Sequence, residues 1–173
     1  NKVRNVSDRH EYDIFSYLYW GSEDGFSETA RVELRTIEAS GVAIADLDGN
    51  GYLDIVFSNH TPGVTGSALG SFVYFGDDTF FSDAVPIHEG LEGANANAVC
   101  IADLDDDGLL DLIFAHSSSS SHALLQQPGS EGQFLSSTPF SFGVAGTGCA
   151  VGDVDDDRER DVFLTQNVNS GPT

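Results

Sequence analysis

The chain has 173 residues, 40% of them hydrophobic, so it is long enough to bury a core within a single domain. Its formal net charge is −21 and it carries only seven lysine and arginine residues. This balance disfavours nucleic acid and anionic membranes as partners, because both require basic surfaces. The sequence holds no apolar run near the roughly 20 residues of a membrane helix, so we expect no membrane insertion.

The N-terminal part is predicted to contain strands. Residues 1–8 lack an initiator methionine and an apolar stretch, so they do not resemble a signal peptide. We therefore expect a mature or excised piece of a longer protein. Three strands are predicted between Asp13 and residue 36, with one helical turn over Ser22–Arg31.

An acidic nine-residue loop follows an apolar run at three places. Oxygen-bearing side chains stand at alternate positions of each loop, with a further carboxylate at the ninth. These loops are Asp46-Leu-Asp48-Gly-Asn50-Gly-Tyr-Leu-Asp54 (loop 1), Asp103-Leu-Asp105-Asp-Asp107-Gly-Leu-Leu-Asp111 (loop 2) and Asp153-Val-Asp155-Asp-Asp157-Arg-Glu-Arg-Asp161 (loop 3). Ca²⁺ takes six to eight oxygen ligands at about 2.3–2.6 Å. A single copy would equally suit a solvated acidic turn, but three copies between strands predict calcium sites.

An EF-hand is the obvious competitor, since it shares the spacing of the first carboxylates. It also needs a glutamate at position twelve and flanking helices. Position twelve is Phe57, Phe114 and Leu164, and both flanks of each loop are strand-like. We therefore predict that each loop joins two apolar strands in a hairpin.

The loops belong to a longer repeat, because they begin 57 and 50 residues apart. Four strands are predicted in the second unit: strand A at Asn97–Leu104, B at Asp111–His116, C at His122–Gln126 and D at Phe134–Phe142. Repeats of four short antiparallel strands are typical of β-propeller blades. We predict an all-β segment of about three blades, comprising a partial blade at 1–36, blades at 37–90 and 91–142, and a partial blade at 143–173.

Such an arc leaves open edges, so it is expected either to belong to a larger propeller or to take its missing strands from a neighbouring copy. We favour the first of these. Residues 5–15 align with loop 3 and the strand after it but lack the early acidic ligands, so this degenerate copy is predicted to bind no metal. Aromatic residues of strands C and D are expected to fill the gaps between blades.

The remaining residues with distinctive chemistry are given structural roles. Cys100 lies three residues before loop 2 and Cys149 four before loop 3, so alternating strands would point them in opposite directions. We predict two buried core cysteines rather than a disulfide. All five histidines are interpreted as scattered surface residues. Asn5 and Asn59 head N-glycosylation sequons.

The loops and the repeated strands resemble the FG-GAP/VCBS repeat family, which includes the calcium-bearing blades of integrin α-subunit propellers. The shared motif is D-x-[DN]-x-[DN]-G-x-x-D-[IL]. The resemblance implies three sets of ligands, each with four side chains and one backbone carbonyl. The sets are the side chains of Asp46, Asp48, Asn50 and Asp54 with the carbonyl of Tyr52; those of Asp103, Asp105, Asp107 and Asp111 with the carbonyl of Leu109; and those of Asp153, Asp155, Asp157 and Asp161 with the carbonyl of Glu159. Loop 3 departs from the motif at Arg158, where glycine is expected, so loops 1 and 2 are favoured for occupancy over loop 3.

The leading functional hypothesis is a non-enzymatic, calcium-binding segment of an extracellular or cell-surface protein that serves adhesion, protein or glycan interaction, or assembly. One alternative is a catalytic propeller acting on polysaccharide or phospholipid, which would require acid, base and substrate-binding groups that the sequence does not reveal. We interpret the spare carboxylates Asp106 and Asp156 as solvated or as supporting the metal ligands, rather than as the acid and base of a glycan-cleaving site. Another is a subunit of an extracellular polymer that is completed by strand sharing.

Overall fold

The computed structural model describes residues 13–60, 70–87, 96–129, 131–134 and 140–166. These residues form twelve strands and no helix, so the predicted all-β class is confirmed. The strands are β1 (Asp13–Ser22), β2 (Gly25–Ile37), β3 (Ala39–Ala45), β4 (Asp54–Asn59), β5 (Ser71–Tyr74), β6 (Val85–Ile87), β7 (Ala96–Ala102), β8 (Asp111–His116), β9 (His122–Leu124), β10 (Phe140–Ser141), β11 (Gly148–Gly152) and β12 (Asp161–Thr165).

The strands pair in four antiparallel sheets. Two sheets have four strands in consecutive order, β3 to β6 and β7 to β10, while β1–β2 and β11–β12 form two-stranded sheets. The described residues form no closed ring of sheets. Because only consecutive strands pair within each sheet, the local contacts of each hairpin determine the strand order of the sheet.

The second unit shows how closely its four strands were predicted. Strand B has the predicted bounds, and strand A is shifted to Ala96–Ala102. Strand C ends at Leu124, two residues early, and the described part of strand D is only Phe140–Ser141. Residues 135–139 of predicted strand D lie outside the described residues.

The helical turn predicted at Ser22–Arg31 is wrong. The chain reverses after Ser22, where Ser22 pairs with Gly25, and β2 then continues through Arg31 opposite Tyr19. Gly25 has a φ of 92°, which glycine adopts without steric cost, so a tight hairpin is favoured over a helix. Only two strands occupy the region where three were predicted, because no turn residue interrupts β1 between Phe15 and Ser16.

Apolar side chains pack between successive sheets. One cluster lies between the sheets β3–β6 and β7–β10 and includes Val56, Val73, Val99, Leu112 and Phe114. A second cluster lies between the β1–β2 hairpin and β3–β6, and includes Leu34, Ile37, Ile55, Phe57 and Tyr74. Strands β4 and β5 of this sheet are therefore buried on both faces, which explains their apolar runs, whereas Val42 and Ile44 of β3 remain exposed.

Cys100 and Cys149 form a disulfide, so the prediction of two free core cysteines is wrong. The premise about their directions was sound. Val99 and Cys149 hold equivalent positions four residues before their loops, and Val99 packs toward the preceding sheet. Cys149 on β11 likewise points toward the preceding sheet, which contains β7, and Cys100 on β7 points toward the following sheet, which contains β11. Because these two sheets stack on each other, the two side chains meet.

Two histidines contradict the prediction of scattered surface residues. His116 and His122 are both buried, and their rings stack with centroids 4.7 Å apart on the paired strands β8 and β9. Burial lowers the pKa of His122 to about 4, against a weaker opposing effect of the Ser120 backbone. Burial disfavours the charged imidazolium, so His122 belongs to the core in its neutral form.

The aromatic residues predicted between blades divide into two groups. Phe75 and Phe81 are partly buried against the clusters described above. Trp20 and Phe80 are partly exposed, but their rings contact edge to face with centroids 5.8 Å apart, so the β1–β2 hairpin and the β5–β6 turn meet through them as predicted. Tyr19 and Phe26 are 39% and 79% exposed, which contradicts their predicted positions.

Of the two asparagines in predicted glycosylation sequons, the structure describes only Asn59. Asn5 lies outside the described residues, as does most of the degenerate acidic copy. Asn59 is buried; its Nδ2 donates to the Gly70 carbonyl and its Oδ1 accepts from the Ile37 N–H. The Asn59 amide is thus used in holding β4 to its neighbours, and a glycan on it would break these contacts.

Candidate metal centre

Each acidic loop sits at the turn of a hairpin between a small-residue strand and an apolar strand. The last residue of the first strand pairs with the ninth residue of the loop in all three cases: Ala45 with Asp54, Ala102 with Asp111, and Gly152 with Asp161. These pairs close the loops with one common register. The sequence repeat therefore becomes a repeat in backbone geometry.

The structure brings together the first, third and ninth carboxylates of every loop. One oxygen from each side chain lies within 4.8 Å of the other two in three groups: Asp46, Asp48 and Asp54; Asp103, Asp105 and Asp111; Asp153, Asp155 and Asp161. Ligands at about 2.3–2.6 Å from a calcium ion are at most roughly 5 Å apart. The observed spacing therefore fits a single cation in each loop.

The first aspartate of each loop also shapes the turn. In loop 1 the N–H groups of Asn50 and Gly51 donate to the two carboxylate oxygens of Asp46, at 3.0 and 2.9 Å. In loop 2 only Oδ2 of Asp103 receives such a bond, from Gly108. Oδ1 of Asp103 is buried without a hydrogen-bond partner in the described part of the chain. A buried carboxylate oxygen without a donor is costly, and a bound cation would compensate it.

The ninth aspartate ties its loop to the rest of the sheet. The Leu47 N–H donates to Oδ2 of Asp54 at 2.7 Å and the Gly76 N–H donates to Oδ1 at 2.8 Å. Asp111 receives the equivalent bonds from Leu104 and Gln126. Both carboxylates are fully buried, so the ninth residue is structural in addition to being a candidate ligand.

Burial raises the pKa of Asp54, and the neighbouring carboxylates of Asp48 and Asp46 raise it further. Burial likewise raises the pKa of Asp111. Backbone hydrogen bonds oppose both shifts without cancelling them. A divalent cation beside these groups would favour their ionised forms. Metal binding and burial therefore have opposite effects on the pKa values of these two carboxyl groups.

The fifth residue of each loop accepts a backbone N–H group, as the first and ninth residues do. Side-chain oxygens of Asn50, Asp107 and Asp157 each accept the N–H two residues later, from Tyr52, Leu109 and Glu159, at 2.8 Å. These bonds hold the turn on which the three carbonyls of the predicted ligand set lie.

Left-handed backbone recurs at two positions in each loop. At the sixth position, Gly51, Gly108 and Arg158 have φ values of 89°, 88° and 78°. The expected positive φ at Arg158 is thus confirmed, and it costs about 1 kcal/mol or more in a residue with a Cβ. Asp106 and Asp156 at the fourth position also have positive φ, where aspartate is better tolerated than most residues.

Gln126 is a buried residue at the metal centre that the sequence reasoning missed. Its Nε2 donates to the carbonyls of Leu47 in loop 1 and of Leu110 in loop 2, at 3.0 and 2.5 Å. Its Oε1 accepts from the Gly132 N–H. Gln126 therefore bridges two adjacent loops. No motif marks it, because the equivalent position after β5 is Gly76.

The comparison with known families matches part of the second unit and the β11–β12 hairpin that follows it. Residues 103–164 match a family model described as an FG-GAP-like repeat. The chain carries an FG-GAP-like repeat. The predicted resemblance is thereby confirmed for these residues, which run from loop 2 through loop 3 and into β12. No curated protein and no solved structure gives a significant match to the chain.

Proposed function

We propose that this chain is a calcium-stabilised, non-enzymatic segment of an extracellular or cell-surface protein, built from FG-GAP-like repeats. Each ion would fix one hairpin and so set the shape of the loop face, where a protein or glycan partner would dock. The observation that carries the proposal is the same carboxylate triad, with the same spacing, in three successive hairpins.

A propeller arrangement of the sheets is part of this proposal. The two four-stranded sheets have the strand order of blades, and successive sheets stack through opposite faces. Stacking of this kind, continued through further sheets, produces a ring with all acidic loops on one side.

Three observations support the extracellular setting. FG-GAP-like repeats are typical of extracellular proteins. The disulfide between Cys100 and Cys149 is of a kind that persists in oxidising compartments. Calcium is also abundant enough outside cells to fill modules whose affinity is weak. The described part of the chain has no helix suited to crossing a membrane.

Calcium titration combined with thermal unfolding tests the proposal. Metal at about 100 times its dissociation constant should stabilise the fold by about 2.7 kcal/mol per site, and EDTA should reverse the change. An unchanged melting temperature across the titration would rule out a structural role for calcium.

Matched variants assign the effect to the loops. Asp105→Asn in loop 2 should reduce the calcium-dependent rise in melting temperature, because it removes one carboxylate of the triad. Asp78→Asn changes the net charge equally but lies exposed outside the loops, so it should leave that rise unaltered. Equal losses in the two variants would indicate a general response to charge screening.

A further inference from the structure

The side chain of Gln126 lies between loops 1 and 2, two residues after β9, and is fully buried. Its Nε2 donates to the carbonyl of Leu47 in loop 1 and to that of Leu110 in loop 2, at 3.0 and 2.5 Å. Its Oε1 accepts the Gly132 N–H at 2.6 Å. Both amide hydrogens are thus used, one toward each loop. Because the amide group is planar, a shift of one carbonyl is passed to the other through a single rigid group.

In loop 1 the bridge ends on the residue that lies among all three carboxylates of the triad. Leu47 stands between Asp46 and Asp48, and its own N–H donates to Oδ2 of Asp54 at 2.7 Å. Leu47 is also buried, so surrounding side chains restrict it further. The position of Leu47 therefore influences the spacing of the loop 1 triad.

In loop 2 the bridge contacts the end of the predicted ligand set. Leu110 follows Leu109, whose carbonyl belongs to that set, and precedes Asp111, the ninth residue. The backbone N–H of Gln126 donates to Oδ1 of Asp111 at 2.9 Å, and its side chain holds the Leu110 carbonyl. Ordering the last two ligands of loop 2 thus orders Gln126.

A second contact between the same two sheets falls on Asp48 of loop 1. A Cβ placed on Gly132 would lie 3.0 Å from Cβ of Asp48 and 2.9 Å from Cε1 of Phe75. Gly132 also has a φ of 73°, so both the space and the backbone conformation favour glycine here. Because the Gly132 N–H is held by Gln126, the segment after β9 packs on loop 1 as part of the same bridge.

We infer that Gln126 couples the two loops, so that calcium bound in one of them raises the calcium affinity of the other. With loop 2 occupied, Asp111 and the Leu109 carbonyl are held in place, and so is Gln126. Leu47 is then held as well, and loop 1 loses less conformational entropy when it closes around its own ion. By linkage, occupancy of loop 1 has the same effect on loop 2. This inference rests on the proposed function, since it requires that both loops bind calcium.

Repulsion between two bound ions acts in the opposite direction. Loop 1 has three aspartates and loop 2 has five, so each loop stays net negative after it binds a doubly charged ion. Physiological salt screens exposed charges beyond about 8 Å. We therefore expect a coupling near the lower end of the usual range, about fivefold in affinity.

Calcium titration calorimetry at about 0.15 M salt tests the coupling. The chain carries Asp155→Asn throughout, which removes a carboxylate of the loop 3 triad. In this background the calcium affinity of loop 1 is measured with loop 2 intact and with loop 2 impaired by Asp105→Asn. Impairing loop 2 should weaken calcium binding at loop 1 about fivefold, and Asp48→Asn in loop 1 should weaken loop 2 by the same factor.

A substitution of Gln126 assigns the coupling to the bridge. Gln126→Met keeps an unbranched side chain of similar length but has no N–H to donate, so the factor should fall to about one. Gln133→Met makes the same exchange at an exposed residue of the same segment and should keep the fivefold factor. An unchanged factor in Gln126→Met would refute the role of the bridge.

Hydrogen exchange followed by NMR tests the bridge without altering it, and so does not depend on the folding of Gln126→Met. In Asp48→Asn/Asp155→Asn only loop 2 keeps its full triad, and adding calcium should slow exchange of the Leu47 N–H about fivefold. Independent calcium affinities at loops 1 and 2, with unchanged exchange at Leu47, would refute the coupling and leave the proposed function standing. Absence of calcium binding at both loops would overturn the two together.

Discussion

Loops 1 and 2 differ from loop 3 mainly in how firmly the sheet behind each loop holds its ninth aspartate, and less in their sequences. Asp54 and Asp111 are fully buried and receive two backbone bonds each, one from beyond the third strand of the sheet. Asp161 is only partly buried and receives one, because β11–β12 is a two-stranded sheet among the described residues. Loop 3 also carries Arg158 where the other loops have glycine.

The difference shows that an acidic motif supplies ligands, whereas the sheet behind it supplies rigidity. All three loops gather a carboxylate triad of the same size. A cation binds more tightly when its ligands are already held in place, since less ordering entropy is lost on binding. We therefore expect loops 1 and 2 to bind calcium more tightly than loop 3.

Removing the disulfide is expected to have the largest effect, and it should fall on loop 3. Cys100 and Cys149 are 49 residues apart, and closing a loop of that length stabilises a fold by about 4 kcal/mol at most. Cys100→Ser/Cys149→Ser should lose about 2–4 kcal/mol in chemical denaturation. Hydrogen exchange should rise most in β11 and β12, because the disulfide fastens that hairpin to β7.

Reducing agent provides the control for this comparison. It should lower the stability of the unmodified chain to that of the double variant and leave the variant unchanged. Uniform exchange across all four sheets would show that the disulfide does not act locally.

Removing the ninth aspartate should separate loops 2 and 3 directly. Asp111→Ala leaves the buried N–H groups of Leu104 and Gln126 without an acceptor, which should cost about 2–4 kcal/mol. Asp161→Ala exposes one N–H near solvent and should cost about 1 kcal/mol or less. Urea unfolding in EDTA measures both without the metal. Equal costs would mean that the third strand contributes nothing to the loop.

Acid should weaken the sheet behind loop 2 through His122. Its pKa is about 4 in the fold against an ordinary value of 6.5. The unfolded chain therefore binds the proton more readily between these values. Because protonation of His122 favours the unfolded chain, the free energy of unfolding is unaffected by this residue above pH 6.5 and decreases as the pH falls from 6.5 toward 4. We expect a loss of roughly 2 kcal/mol between pH 7 and pH 5.

His122→Phe should remove this part of the pH dependence, because phenylalanine keeps an aromatic ring and cannot bind a proton. Chemical denaturation of the variant and of the unmodified chain at pH 7 and pH 5 in the same calcium concentration measures the difference. An equal loss of stability in the two proteins would assign the acid sensitivity to the carboxylates.

Exchanging the sixth residue should have the smallest effect and bring the loops closer together. Arg158→Gly relieves a φ of 78° and removes a positive charge, so it should stabilise loop 3 by about 1 kcal/mol and tighten calcium binding. Gly108→Ala should destabilise loop 2 by a similar amount, since a Cβ there meets nothing within 4 Å and only the backbone is strained. Calorimetric titration and thermal melting compare the two. A weaker calcium affinity in Arg158→Gly would show that the arginine assists the site.

Local patterns were predicted well where one strand or turn decided the outcome. Strand B was predicted at its observed bounds. Asp111 closes the loop, and the five residues after it are four apolar residues and one histidine, with no glycine or proline to end the strand earlier. The prediction of a helical turn at Ser22–Arg31 was wrong. The first residues of β2 are mostly polar and show no clear strand pattern, and β2 is a strand there because it pairs with β1. The fifth residues of loops 2 and 3 accept backbone N–H groups, a contact that the sequence did not predict, and their role as metal ligands stays a prediction.

The sequence by itself determined the three acidic loops, their hairpins and the all-β class, since these depend on residues within about nine positions of one another. Only the tertiary structure decided the disulfide, the buried histidine pair and the Gln126 bridge. Each of these joins residues on different strands or sheets whose facing surfaces follow from how the sheets stack. Strand periodicity gives the direction of a side chain, but the neighbour that it meets depends on the next sheet.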